Sequence, residues 1–129
     1  MERHRYSGWR AYQRSKLANI LFTRELARRL GAGPPIVNCL HPGFVATRFG
    51  DASGRVFSHV IRIAKLFAIS PEKGADTIVH LAASPEVADV SGGYFYKRRP
   101  ATPSDEARDA AAARRLWVES ARLAGIEGW

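Results

Sequence analysis

Two polar residues near the start of the chain have the types and spacing needed for proton transfer. Tyr12 and Lys16 are separated by three residues, and side chains four apart on a helix lie one above the other on the same face. A cation close to a phenol favours the phenolate, so the phenol becomes a better acid and base near neutral pH than an ordinary pKa of about 10 allows. The spacing is common on helices, so its meaning depends on what else the chain contains.

A second segment, later in the chain, supports a functional interpretation of the Tyr12–Lys16 pair. Residues 36–40 form a short apolar run with one polar break at Asn38, which predicts a parallel strand near residues 36–41, covered on both faces. Pro42 and Gly43 end the run. The loop after them, residues 43–53, should leave the carboxyl end of the strand, where ligands of open α/β sheets bind.

Together, the two segments resemble the short-chain dehydrogenase/reductase superfamily. Residues 12–19, with Y-x-x-S-K followed by L-A-N, resemble its catalytic helix. Residues 38–47 resemble its sixth strand and the Pro-Gly loop that closes over nicotinamide. With Arg-Leu-Trp at residues 115–117, the pattern is most similar to the retinol-dehydrogenase-like branch, and the resemblance runs over residues 6–125.

The resemblance implies an α/β fold, the C-terminal half of a Rossmann-type doubly wound parallel sheet. Two strands and about four helices are expected, and residues 1–129 would form one partial domain that carries the catalytic and substrate-binding half. The N-terminal dinucleotide-binding half is expected to be absent, because no G-x-G-x-x-G pattern occurs in the sequence. Gly31 and Gly33 precede Pro34-Pro35 and cannot open a helix in that way.

The resemblance also assigns roles to residues. Tyr12 would exchange a proton with the substrate oxygen, and Lys16 would favour the phenolate and hydrogen-bond the nicotinamide ribose. The family's active-site serine has no counterpart here, since Ser7 is interpreted as a helix cap or loop residue. Its catalytic asparagine has none either, because that residue belongs to an earlier helix than the one that carries Asn19. An alternative for Thr47 is a cap of the following turn. The residues implied to bind the cofactor are Tyr12, Lys16, Pro42, Gly43, Val45 and Thr47.

The resemblance implies an NAD(P)-dependent oxidoreductase acting on an alcohol or carbonyl, with an apolar substrate such as a retinoid or fatty aldehyde as one candidate. The truncated chain by itself is expected to be inactive and to bind NAD or NADP only weakly. The alternative is a non-enzymatic remnant or interaction module. The sequence leaves the substrate, the direction of reaction and the choice of NAD or NADP open.

Composition limits the type of protein, its cellular setting and its possible partners. A chain of 129 residues with 46% hydrophobic and 25% charged residues is typical of a globular protein. The sequence shows no signal-peptide pattern and no apolar run long enough to span a membrane, and the single Cys39 favours a cytoplasmic setting. The net charge of +8 is scattered along the chain, so we expect no nucleic-acid partner. Histidines lack the spacing of a metal site, so none is expected.

Hydrophobic periodicity predicts four helices. Residues 8–30 form the first, which Gly31 ends and which could mediate homo-oligomer contacts. Residues 55–68 form an amphipathic second helix, interpreted as a substrate lid, with plain packing or contact with an anionic membrane as alternatives. The third starts at Ser70-Pro71 with Ala75, Ile78, Val79 and Ala82 as its buried face, and the last runs from a Ser104-Asp105 cap through Leu123 with Leu116, Trp117 and Leu123 as packing residues. A second strand is predicted at residues 93–97, parallel to the first.

Overall fold

The computed structural model describes residues 7–43 and 70–126. The described part of the chain divides into two compact units, one formed by residues 7–39, 89–94 and 102–126 and the other by residues 40–43, 70–88 and 95–101. No helix in the described ranges is long and apolar enough to cross a membrane. The predicted helix at residues 55–68 lies outside the described residues.

The first helix, α1, spans Gly8–Leu30 as predicted. The hydroxyl of Ser7 accepts from the backbone N–H of Arg10 at 3.5 Å, which confirms Ser7 as a cap. Gly31 ends the helix at a φ of +73°, a conformation that a residue with a Cβ atom rarely adopts.

The core of the first unit forms where α1 meets the last helix, α3 (Ala110–Ala124). Phe22 stacks on Trp117 with ring centroids 5.1 Å apart, and the Arg29 guanidinium lies 4.8 Å from the centre of the same Trp117 ring. Leu21 and Ala113 are buried in this unit. Aromatic stacking and burial therefore hold the C-terminal half of α1 against α3.

Three short strands form one mixed sheet in the order β1-β2-β3: β1 is Cys39–His41, β2 is Tyr94–Tyr96 and β3 is Arg99–Pro100. The backbone N–H of Cys39 donates to Gly93 and that of Gly92 donates to Val37. The partner numbers rise together, as in parallel strands, so the predicted parallel pair is present, with strands shorter than predicted.

The third strand corrects the prediction of two strands. A two-residue turn at Lys97 and Arg98 reverses the chain, and β3 pairs antiparallel with β2, Tyr96 opposite Arg99. Both turn residues have positive φ, 49° and 63°, as hairpin turns that match strand twist require. The turn was not predictable from its residue types, because Lys-Arg replaces the Asn-Gly or Asp-Gly pairs that usually mark such a turn.

The helix α2 spans Pro71–Ala83 and has Ser70 as its cap, as predicted, and Ser84 follows its end. Its predicted buried face is wrong: Ile78 is 53% exposed and Val79 61%. Gly74, Thr77 and His80 are buried instead. The Thr77 hydroxyl accepts from the backbone N–H of Arg98 at 3.1 Å. Thr77 on the buried face of α2 therefore satisfies a backbone N–H of the hairpin turn.

The start of α3 also differs from the prediction. A single 3-10 turn, Glu106–Arg108, follows Ser104 and Asp105, and α3 begins only at Ala110. The Asp109 side chain accepts from the N–H groups of Ala111 and Ala112 and is the true cap. Trp117 is buried as predicted, whereas Leu123 is 77% exposed and does not pack.

Candidate active site

Helix α1 brings the two predicted catalytic residues together. The Lys16 Nζ lies over the Tyr12 ring, 5.3 Å from its centre, as the i, i+4 spacing predicts. Tyr12 is 39% exposed and Lys16 is exposed as well. A phenol and an ammonium therefore stand side by side on an open face of the helix, where a bound molecule could reach both.

Trp9 extends this arrangement by one helical turn. Its ring stacks on Tyr12 with centroids 6.0 Å apart and an interplanar angle of 25°. The hydroxyl of Ser15 donates to the Tyr12 carbonyl at 2.7 Å, which directs Ser15 toward the backbone. Sequence reasoning missed Trp9 as a neighbour of Tyr12, although its i−3 position was a usable signal.

A cavity of about 620 Å³ lies beside the pair, within the first unit. Lys16 lines it, whereas the Tyr12 side chain is not part of its wall. Its walls come from α1, from Tyr94 and from the segment before α3. The lining residues are Arg10, Gln13, Arg14, Lys16, Leu17, Ile20, Tyr94, Thr102, Pro103, Ser104 and Glu106.

The polar break in the first strand segment has a structural role. The Asn38 side chain donates to the carbonyl of Val90 at 2.6 Å and accepts from the N–H of Gly93 at 2.9 Å. The Ser91 hydroxyl accepts from the N–H of Val37 at 3.1 Å. These bonds tie the entry of β1 to the entry of β2 within the first unit.

Cys39 has the properties of a structural residue. Burial raises the pKa of its thiol, so the thiol stays protonated and is a poor nucleophile at neutral pH. The thiol donates to the Gly93 carbonyl, with Sγ and oxygen 3.6 Å apart. Cys39 is partly buried.

The other predicted site residues belong to the second unit or lie outside the described residues. Pro42 and Gly43 follow β1, and Gly43 has a φ of +81°, which favours glycine at this position. His41 stacks on Tyr96 with ring centroids 5.6 Å apart, in agreement with a packing role. Val45 and Thr47 lie outside the described residues.

Metal binding finds no support in the described part of the chain, where no three His, Cys, Asp or Glu side chains gather in a group that could hold an ion. The expectation of a metal-free site stays a prediction.

No protein-family model matches the chain, but individual proteins do. Human retinol dehydrogenase 13 is 45% identical over 128 residues, which are 95% of this chain and 39% of that protein. Mouse polyprenol dehydrogenase is 43% identical over 98% of this chain and 38% of its own length. The human WW domain-containing oxidoreductase is 41% identical over 88% of this chain and 27% of its own length.

The chain thus spans less than two-fifths of the length of these relatives, while they cover most of the chain. The matches include the helix that carries Tyr12 and Lys16, since nearly all of the chain is aligned. Over the part that it spans, the chain belongs to the retinol-dehydrogenase-like branch of the short-chain dehydrogenase/reductase superfamily.

Proposed function

We propose that the chain carries the proton-transfer helix of an NAD(P)-dependent oxidoreductase that interconverts an alcohol and a carbonyl compound. The observation that carries the proposal is the Tyr12–Lys16 pair, with the ammonium 5.3 Å from the centre of the phenol ring on an exposed helix face. Family membership supports the same chemistry, because the relatives are named dehydrogenases and oxidoreductases.

The residues present fit the nicotinamide end of the cofactor. NAD(P), when bound, accepts or supplies the hydride. The Lys16 ammonium offers three donors to the ribose hydroxyls, and Tyr12 is exposed beside it on the same helix. Pro42, Gly43, Val45 and Thr47 are proposed to border the ring and its carboxamide.

Tyr12 would perform the proton step. Its hydroxyl donates a proton to the oxygen of a carbonyl substrate, or as phenolate it takes the proton from an alcohol. The Trp9 ring stacks on the Tyr12 ring from one side.

An apolar substrate is the finer proposal. Two relatives are named for retinol and polyprenol, both alcohols with long apolar chains. We propose that the substrate of the complete enzyme is an alcohol or carbonyl of this apolar class. The proposed setting is cytoplasmic, because of the single cysteine. Self-association through α1 is proposed because Trp9 and Phe22 expose 61% and 42% of their surface.

The decisive test replaces Tyr12 in a complete enzyme, built by joining this chain to the dinucleotide-binding half of a relative. Tyr12→Phe keeps the ring and its stack on Trp9 but removes the proton. We expect turnover to fall by at least about 100-fold while cofactor affinity, measured by calorimetry, is retained.

Tyr96→Phe is the matched control, because Tyr96 is also 39% exposed and also stacks on a neighbouring ring, that of His41. Its turnover should stay close to that of the parent. A Tyr12→Phe enzyme that turns over as fast as the Tyr96→Phe enzyme would contradict the proposal.

A further inference from the structure

The cavity beside Lys16 has a strongly cationic wall. Arg10, Arg14 and Lys16 all line it from α1, and among the described residues of the lining Glu106 is the only acidic one. Three cations against one carboxylate give the wall a positive excess that matches a doubly charged anion. The active-site proposal uses Lys16 alone among them, and only for the ribose hydroxyls.

The two arginines are placed where a helix does not favour them. Arg10 and Arg14 are four residues apart, so their like charges face each other along one side of α1, which destabilises a helix. They also lie close to the positive end of α1, whose first turn contains no acidic residue. Departures from local rules of this kind are expected at functional sites.

Arg10 and Arg14 differ from several other arginines of the chain in their ion pairs. Arg28, Arg29 and Arg122 each hold a carboxylate within 3.0 Å. Within residues 7–43 and 70–126, Arg10 and Arg14 have no such ion pair. Their donors are therefore available to an anion in the cavity, where water and the Glu106 carboxylate compete with it.

The opposite wall supplies neutral donors. The Ser104 hydroxyl accepts from the N–H of Ala107 at 3.4 Å, which leaves its own proton available to a ligand, and Thr102 adds a second hydroxyl. Burial raises the pKa of the Tyr94 phenol, so this group remains a donor at neutral pH.

Size and apolar lining indicate more than a free inorganic ion. The volume of about 620 Å³ is in the range of small-molecule sites. Leu17, Ile20 and Pro103 contribute apolar surface to the lining. The cavity can therefore hold an organic group as well as an anion.

We propose that this cavity binds the monoester of a phosphate, with the phosphate held by Arg10 and Arg14 and its organic group against Leu17, Ile20 and Pro103. Arginine forks match phosphate oxygens in geometry as well as in charge. The site is separate from the proton-transfer role of Tyr12, whose side chain does not line the cavity.

The test follows amide NMR shifts while the 129-residue chain is titrated with phenyl phosphate. A separate titration uses phenol, the uncharged analogue that lacks the phosphate. Saturable shifts should concentrate at residues 10–20 and 102–106 with phenyl phosphate, and phenol should bind at least about 10-fold more weakly. The double variant Arg10→Gln/Arg14→Gln should weaken phenyl phosphate binding by at least about 10-fold.

Arg114→Gln/Arg115→Gln is the matched control, since it removes the same charge from exposed helix positions outside the cavity. This pair should bind phenyl phosphate within about twofold of the parent, and circular dichroism should show both pairs folded. The proposal is overturned if the parent shows no saturable shifts, if phenol binds as tightly as its phosphate, or if both double variants lose affinity equally.

Discussion

The two ends of α1 differ in almost every physical respect. From Gly8 to Lys16 every residue is exposed, and the side chains include an aromatic pair and several cations. Toward the C-terminal end, Leu21, Thr23 and Glu25 are buried and Trp117 of α3 covers the helix. One regular helix therefore has an open end that displays chemistry and an anchored end that packs.

This division separates the demands of stability from those of reactivity. The open end leaves Tyr12 and Lys16 accessible to a ligand, and it therefore buries little apolar surface. The anchored end supplies the rigid support, because a helix fixed at one end projects its other end in a defined direction. Variants at matched positions should therefore affect stability at one end and ligand chemistry at the other.

The largest effect is expected from a tryptophan pair. Trp117 is 8% exposed and contacts both Phe22 and Arg29, whereas Trp9 is 61% exposed. We expect Trp117→Ala to lower the free energy of unfolding by roughly 3–5 kcal/mol, because it removes a large buried ring. Trp9→Ala should change it by less than about 0.5 kcal/mol. Urea unfolding measures both, and equal losses would show that the two ends are packed alike.

Local chemistry explains which parts of the fold were predictable. The bounds of α1 and the start of α2 follow from Ser7, Gly31 and Ser70-Pro71, which act through groups only a few residues away. The Tyr12–Lys16 contact was predictable for the same reason, since helix geometry alone sets it.

Long-range contacts explain what the sequence did not reveal. The buried face of α2 was mispredicted because Thr77 satisfies the backbone of Arg98, twenty-one residues later. The hairpin at Lys97 and Arg98 needed positive φ at residues that rarely adopt it. The cationic cavity was missed because Thr102 and Ser104 meet α1 only in three dimensions.

A smaller effect is expected from the ion pairs at the anchored end. Both oxygens of Glu25 are bonded, to Arg28 at 2.7 and 2.9 Å and to Arg29 at 2.8 Å, and the carboxylate is 2% exposed. The two Arg28 hydrogen bonds, together with the one from Arg29, outweigh burial and lower the pKa of Glu25 to about 2. Because Arg28 is more than half exposed, solvent screens the pair, and we expect Glu25→Gln to cost about 1 kcal/mol at pH 7.

The pH dependence of this effect has a defined sign. A lowered carboxylate pKa stabilises the folded chain above the ordinary value of 4.5, and the stabilisation is lost as the pH falls toward about 2. The difference in unfolding free energy between the parent and Glu25→Gln should therefore shrink over this window in urea titrations at stepped pH. A difference that stays constant from pH 7 down to about 2 would contradict the assignment.

The smallest effect is expected from the two helix caps, which also belong to opposite ends. Asp109 receives two short bonds, from Ala111 at 2.8 Å and Ala112 at 3.0 Å, and these bonds lower the pKa of its carboxyl. Ser7 receives one long bond, from Arg10 at 3.5 Å. Asp109→Ala should lower the melting temperature by several degrees, because α3 carries Trp117 and its fraying loosens the anchored end. Ser7→Ala should lower it less, since the open end has little packing to lose.

Asp105→Ala is the control for the corrected start of α3, because Asp105 makes no cap bond to the helix. Differential scanning calorimetry of the three variants compares them directly, and a loss at Ser7 as large as that at Asp109 would show that the open end contributes to stability as much as the anchored one.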